Sequence, residues 1–208
     1  MLAENGAELE TMFRRVRGMG VATSLDMSLP DPDGAAAGVD WPALLGRVLP
    51  HVDIFTPSVE ELLYMLAAEE WSRLVAQADG GDPIELIPDE LLAGLASDAI
   101  ALGARIVLLK AGHRGGYLRT GDSADLVGPL SLSADAACIE GLPLPALPVD
   151  PARFINACGA GDAAVAGFLT GLLRAESLRA AGQRAMQVGR DSLYGVDTTS
   201  GLGRLEGH

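Results

Sequence analysis

The stretch F-I-N-A-C-G-A-G-D-A-A-V-A-G-F-L-T-G-L-L-R-A, residues 154–175, constrains the fold more than any other. Phe154 and Ile155 are β-formers and read as the end of a strand. Residues 156–161 are small and turn-prone, and a run of small or apolar residues behind Asp162 reads as a helix. Strand end, glycine turn and helix start together present unpaired backbone N–H groups and the positive end of a helix dipole. Such a place accepts an anion. The candidate donors are the N–H groups of Ala160, Gly161 and Asp162. Gly159 and Gly161 suit the role because a side chain would hold the backbone away from a phosphate. Asp162, in the first helical turn, either caps the helix or serves as a general base beside the anion hole.

The rest of the chain alternates between helix and strand patterns. In residues 4–17, Leu9, Met12, Phe13 and Val16 fall at helical spacing, and Arg14, Arg15 and Arg17 sit where cations suit the dipole. Gly18 or Gly20 ends that helix. Residues 21–25 read as a short strand closing at Asp26. A Pro-, Asp- and Gly-rich loop leads to a helix over 41–49, with Asp40 as N-cap and Pro42 in the first turn. A brief buried strand over 52–55 precedes a helix over 58–66, which opens on a capping box of Ser58 and Glu61.

Residues 67–87 are weakly patterned, with a turn at 80–83. A helix over 89–102 puts Leu91, Leu92, Leu95, Ala99 and Leu102 on one face. R-I-V-L-L-K at 105–110 is the clearest strand, and its four consecutive apolar residues imply burial on both faces, as in a parallel sheet. A glycine turn over 111–116 leads into a strand over 117–120. Residues 121–153 hold one or two short strands, and 177–193 form a final helix. The pattern predicts an α/β domain with a mostly parallel sheet and helices on both faces, spanning 1–196, with 197–208 as a flexible tail.

Composition narrows the partners. The chain has 208 residues, 49% hydrophobic and 21% charged, which is a globular composition. Its net charge of −13 argues against nucleic acid or an anionic membrane surface, since both need a basic footprint. A phosphate ligand needs only a local group of donors. Mean hydropathy is +0.25, yet no uncharged apolar run approaches the about 20 residues of a membrane span. The first residues show neither a basic n-region nor an h-region. The two cysteines, Cys138 and Cys158, form no motif and fit a reducing cytoplasm.

The G-A-G-D run and the A-G-F-L helix behind it resemble the C-terminal signature of the PfkB/ribokinase-type carbohydrate kinases, usually D-T-T-G-A-G-D. V-D-I-F-T-P-S-V-E-E-L at 52–62 resembles that family's strand followed by an N-x-x-E element. I-V-L-L-K-A-G-H-R-G-G-Y at 106–117 resembles its nucleotide-side strand, turn and hairpin. S-L-D-M at 24–27 and Trp41 also fall where the family carries an Asp-containing strand end and a Trp. The order and spacing agree along the whole chain.

The resemblance implies a three-layer ribokinase-like fold and ATP-dependent phosphoryl transfer to a hydroxyl of a sugar or similar small molecule. It implies Asp162 as catalytic base and Gly159, Ala160 and Gly161 as anion hole. Glu61 would order Mg2+ through water. Lys110, Gly112 and Gly115 would lie on the ATP side, and Val188, Gly189 and Ser192 would line the adenine. For these last three, ordinary helix packing is the competing reading, and for Lys110 a solvated strand end. His113 and Arg114 read as exposed turn residues, His51 as structural, and Cys158 as a small packing residue.

The chain departs from the family pattern in two places. Asn156-Ala157-Cys158 stands where D-T-T is usual, and Ser58 where the N-x-x-E element has Asn. The resemblance also implies that a further N-terminal portion, with the first strands, the lid and most sugar contacts, precedes residue 4 in such kinases. The sheet edge left without those strands is expected to make the 208-residue chain poorly soluble or a homo-oligomer, which light scattering checks. Two further readings stand beside a kinase. One is a nucleotide-binding protein without catalysis. The other is a dinucleotide-binding turn, disfavoured because the spacing is not G-x-G-x-x-G.

Overall fold

A computed structural model describes residues 3–31, 33, 34, 36, 38–121 and 138–202. Much of the 121–153 stretch and the end of the expected tail, 203–208, lie outside the described residues. The elements are α1 (Ala3–Gly18), β1 (Ser24–Leu25), α2 (Trp41–Val48), β2 (Ile54–Phe55), α3 (Val59–Leu66), α4 (Ala68–Ala78), α5 (Asp89–Ala101), β3 (Ile106–Lys110), β4 (Gly115–Thr120), β5 (Leu142–Pro145), α6 (Ala160–Leu173) and α7 (Leu178–Ser192). The strands form one sheet in the order β1-β2-β3-β4-β5. β1 and β2 pair in parallel, with Ser24 opposite Ile54, and so do β2 and β3, with Ile54 opposite Ile106. The architecture is α/β with a mixed, mostly parallel sheet, as the alternation of patterns predicts.

By contacts the chain divides into two compact units, Met1–Ala111 with Tyr117–Leu142, and Gly112–Gly116 with Pro143–His208. The first is organised on β3. Ile106, Val107, Leu108 and Leu109 are all fully buried, so both faces of the strand are covered. Successive side chains alternate between faces. Val107 and Leu109 join a core with Leu44, Leu45 and Val48 of α2, Leu62 and Leu63 of α3, and Leu92, Leu95 and Ala99 of α5. Asp40 caps α2 by accepting from the Ala43 N–H at 3.1 Å, with Pro42 in the first turn.

A buried polar network ties the amino-terminal ends of the three parallel strands together. Thr23 precedes β1, Asp53 precedes β2 and Arg105 precedes β3. The Asp53 carboxylate, 1% exposed, accepts from the Thr23 N–H at 2.9 Å and from Arg105 Nη1 at 3.0 Å, with Arg17 Nε 3.7 Å away. Thr23 Oγ1 accepts from the Asp53 N–H at 3.0 Å and donates to the His51 carbonyl at 2.8 Å. His51 thus takes part through its backbone.

The second unit is dominated by α6 packed on α7. α6 carries mostly small and apolar residues, and Ala163, Ala164, Phe168 and Leu172 are buried. The helices approach closely because Gly167 leaves room for Val188, whose Cβ would lie 2.9 Å from a Cβ at 167. Ser177 caps α7 by accepting from the Ala180 N–H at 3.2 Å.

Three expectations are corrected. Residues 67–87, weak in pattern, contain α4. Its signal is Trp71, Leu74 and Ala78, spaced three and four apart, with Leu74 buried. Residues 21–25 yield only the two-residue β1. Phe154 and Ile155 are not a strand end: they are 49% and 51% exposed, and the Ile155 N–H donates to the Leu193 carbonyl at 2.9 Å rather than joining the sheet. Strand propensity reflects fit to a half-buried pleated surface, and none covers these residues.

Candidate functional site

The carboxyl ends of parallel strands are where open α/β sheets bind ligands. At that edge of the first unit, Asp26 follows β1 and Lys110 closes β3. The Lys110 ammonium donates to both oxygens of Asp26, at 2.8 Å each. The resemblance names Lys110 as an ATP-side contact, and in the structure its charge is engaged by Asp26. That pairing is missed when the sequence is read locally. Its signal is an opposite charge at the carboxyl end of two strands separated by one.

Glu61 lies in the first turn of α3 at the same edge. The expected capping box is present: Glu61 Oε2 accepts from the Ser58 N–H at 2.6 Å, and the Glu61 N–H donates to Ser58 Oγ at 3.3 Å. Oε1 makes no hydrogen bond among the described residues. Burial pushes the Glu61 carboxyl above the ordinary glutamate value. The Ser58 N–H and the Lys110 charge pull the other way, and Asp26 adds to the rise. The folded chain therefore holds a proton in a window starting near the ordinary value of about 4.3, where the unfolded chain has released it. Stability contributed by Glu61 falls as pH rises through that window and is flat above it. Urea midpoints measured from pH 4 to 8 should show the native chain losing ground against Glu61→Gln as pH rises. Parallel curves would mean that burial does not dominate at Glu61.

No group of three or more His, Cys, Asp or Glu side chains converges as a metal cage among the described residues. A lone glutamate with one unengaged oxygen suits a cation held through water, as Mg2+ is when it keeps several of its own waters.

In the second unit the glycine turn opens α6. Gly159, with φ of 76°, is the residue before the helix and has no side-chain cap. That φ is left-handed, which favours glycine. A Cβ there would also overlap the Thr198 hydroxyl. The Gly159 carbonyl starts the helix by accepting from the Ala163 N–H at 2.9 Å. The Ala160 N–H donates to the Ala157 carbonyl at 3.2 Å, closing the turn. The N–H groups of Gly161 and Asp162 have no acceptor among the described residues. Gly161 and Asp162 are both exposed, so two free donors and a carboxylate share one solvent-facing helical turn.

The remaining candidates of this unit fall apart by environment. Gly115, φ 95°, is buried against β5, where a Cβ would overlap the Leu144 carbonyl oxygen. Gly112 opens the short 3-10 turn Gly112–Arg114, which also holds His113 and Arg114, and is exposed. Val188 packs against α6, and Gly189 faces Ala160 and Ala164, immediately behind the glycine turn. Ser192 is buried, its hydroxyl donating to the Gly189 carbonyl at 2.8 Å. Cys158 is exposed and, like Cys138, a free thiol. Among the described residues, no helix is long and apolar enough to cross a membrane.

The sheet order and the helices define an α/β protein, and its fold matches solved ribokinase-type structures. The chain belongs to the pfkB family of carbohydrate kinases, whose model matches residues 6–193. No curated protein matches the sequence significantly. Among solved structures, it resembles an aminoimidazole riboside kinase from Salmonella enterica, complexed with aminoimidazole riboside and an ATP analogue. The TM-score is 0.61 and identity 22%, covering 93% of this chain and 53% of that one. The ribokinase of Giardia lamblia gives 0.60 at 16% identity, over 98% and 54%. The ribokinase of Arabidopsis thaliana, complexed with ribose and ATP, gives 0.54 at 17%, over 93% and 50%. The chain thus spans about half the length of these structures.

Proposed function

We propose that the chain carries the phosphate-transfer half of an ATP-dependent kinase acting on a hydroxyl of a sugar or sugar-like alcohol. The observation that carries this reading is the first turn of α6. The N–H groups of Gly161 and Asp162 have no acceptor among the described residues, and the Asp162 carboxylate stands exposed on the same turn. Family membership and the ATP complexes among the structural relatives support it.

In this reading Asp162 takes the proton from the acceptor hydroxyl as its oxygen attacks the terminal phosphorus. The oxygen–phosphorus bond forms on the acceptor while the bond to ADP breaks. The Gly161 and Asp162 N–H groups hold the charge that builds on the transferred group. Such donors are worth about 2.7–4 kcal/mol each in the transition state. The Ala160 N–H, already bonded to Ala157, would have to give up that bond to join them. Glu61 would hold Mg2+ through water, and the metal, when bound, neutralises phosphate charge. Val188, Gly189 and Ser192 act through packing: Gly189 lets α7 lie directly behind the turn. Lys110 acts by holding Asp26, while Gly112 and Gly115 shape the turn into β4.

Calorimetry with ATP and Mg2+ tests the binding half of this account. Saturable binding that weakens when Mg2+ is withheld is expected. Binding without turnover on any sugar would favour the reading of a nucleotide-binding protein that does not catalyse, and no binding would overturn both.

A further inference from the structure

One polar side chain next to the glycine turn bridges two segments. Asn156 is half-buried. Its Nδ2 donates to the Gly195 carbonyl at 2.9 Å, and its Oδ1 accepts from the Cys158 N–H at 2.8 Å. One amide therefore joins the turn before α6 to the segment after α7.

The two segments already run side by side. Arg190 Nη1 donates to the Pro148 carbonyl at 3.3 Å, the Asp150 N–H to the Tyr194 hydroxyl at 2.9 Å, and the Ile155 N–H to the Leu193 carbonyl at 2.9 Å. Arg153 stacks over the Tyr194 ring, 4.2 Å from its centroid. Asn156 is the next link in this series and the one that reaches the turn. Beyond it, Asp197 accepts from the Thr199 N–H at 2.9 Å and the Ser200 N–H at 2.6 Å. That folded loop presents Thr198 against Gly159.

We propose that Asn156 is a positioning residue for phosphate transfer, its amide docking the 195–200 loop onto the turn that aims the Gly161 and Asp162 N–H groups. The proposal rests on the phosphoryl-transfer reading above. A carboxylate can accept from the Cys158 N–H but has no proton for the Gly195 carbonyl, and would face that oxygen with like charge. An amide satisfies both neighbours. Replacing Asn156 by aspartate should therefore loosen the turn.

The test compares Asn156→Ala and Asn156→Asp by amide hydrogen exchange, with kcat and KM for ATP measured alongside. Exchange over 156–163 and 195–200 should speed up together, by about tenfold in the alanine variant and more in the aspartate variant, with little change elsewhere. kcat should fall by about tenfold, while KM for ATP moves by less than about threefold, because the loss is in aiming groups that act in the transition state. Unchanged exchange over 195–200 in the alanine variant overturns the bridge. Faster exchange with an unchanged kcat overturns the positioning role. An aspartate variant as good as the native chain overturns the match to Gly195. Asp162→Asn serves as the separate control. If that variant transfers phosphate at the native rate, or the native chain transfers none, the phosphoryl-transfer reading fails and the positioning role with it, while exchange still decides the bridge.

Discussion

Asp162→Asn is expected to lower kcat for phosphate transfer by about 10³-fold, within the range of 10²–10⁴ typical of a positioned general base. The amide keeps the size of the side chain and its place in the first turn of α6 but cannot accept the hydroxyl proton. The Gly161 and Asp162 N–H groups stay where they are. Affinity for ATP should therefore hold or rise slightly, because a negative charge next to the phosphate site is gone. The competing role, an acid that merely complements the helix dipole, makes a different prediction. That role is worth about 0.3–1 kcal/mol of stability and nothing in turnover. A lower melting temperature with native kcat would support it.

Asp53→Ala is expected to be among the most destabilising single changes in the first unit. Its carboxylate is buried and serves Thr23 and Arg105, with Arg17 beside it. Removing it leaves the Arg105 guanidinium, 12% exposed, without this partner, and the Arg105 Nε is already buried with no hydrogen bond among the described residues. Breaking such a pair from one side costs about 3–5 kcal/mol. For a chain of this size, that is a fall in Tm of roughly 6–20 °C. Arg105→Ala should cost less than Asp53→Ala, because Arg17 and Thr23 still face the carboxylate. Scanning calorimetry of the two variants checks both the size and the order. Equal, small shifts would mean that the network contributes little. Nucleotide binding by whatever folded protein remains should be unaffected, because this network sits at the amino-terminal ends of the strands, away from the carboxyl edge that carries Lys110 and Glu61.

Local signals make much of this molecule readable. The four apolar residues of β3 announce a strand buried on both sides. Asp40 with Pro42, and Ser58 with Glu61, announce helix starts whose hydrogen bonds the structure then shows. The G-A-G-D turn is readable for the same reason: its chemistry lies in consecutive residues. What is not readable is whatever depends on pairs far apart in sequence. Lys110 and Asp26, Asp53 and Arg105, and Asn156 and Gly195 each join separate elements. Nothing in the local pattern says that they meet. Phe154 and Ile155 mislead for the converse reason. Their propensity is strand-like, but among the described residues no strand pairs with them, and they stay exposed. α4 shows a third limit: its stripe is carried by few residues, Trp71, Leu74 and Ala78, and only Leu74 of this helix is buried.

The central claim is that this chain's glycine turn and Asp162 move a phosphate from ATP to an alcohol. The most direct test is transfer of label from γ-labelled ATP to a panel of sugars and nucleosides, in the presence of Mg2+. The account predicts a labelled phosphomonoester with at least one acceptor, formed by the native chain and reduced about 10³-fold by Asp162→Asn. Label transfer that proceeds equally well in the Asp162→Asn variant would contradict it.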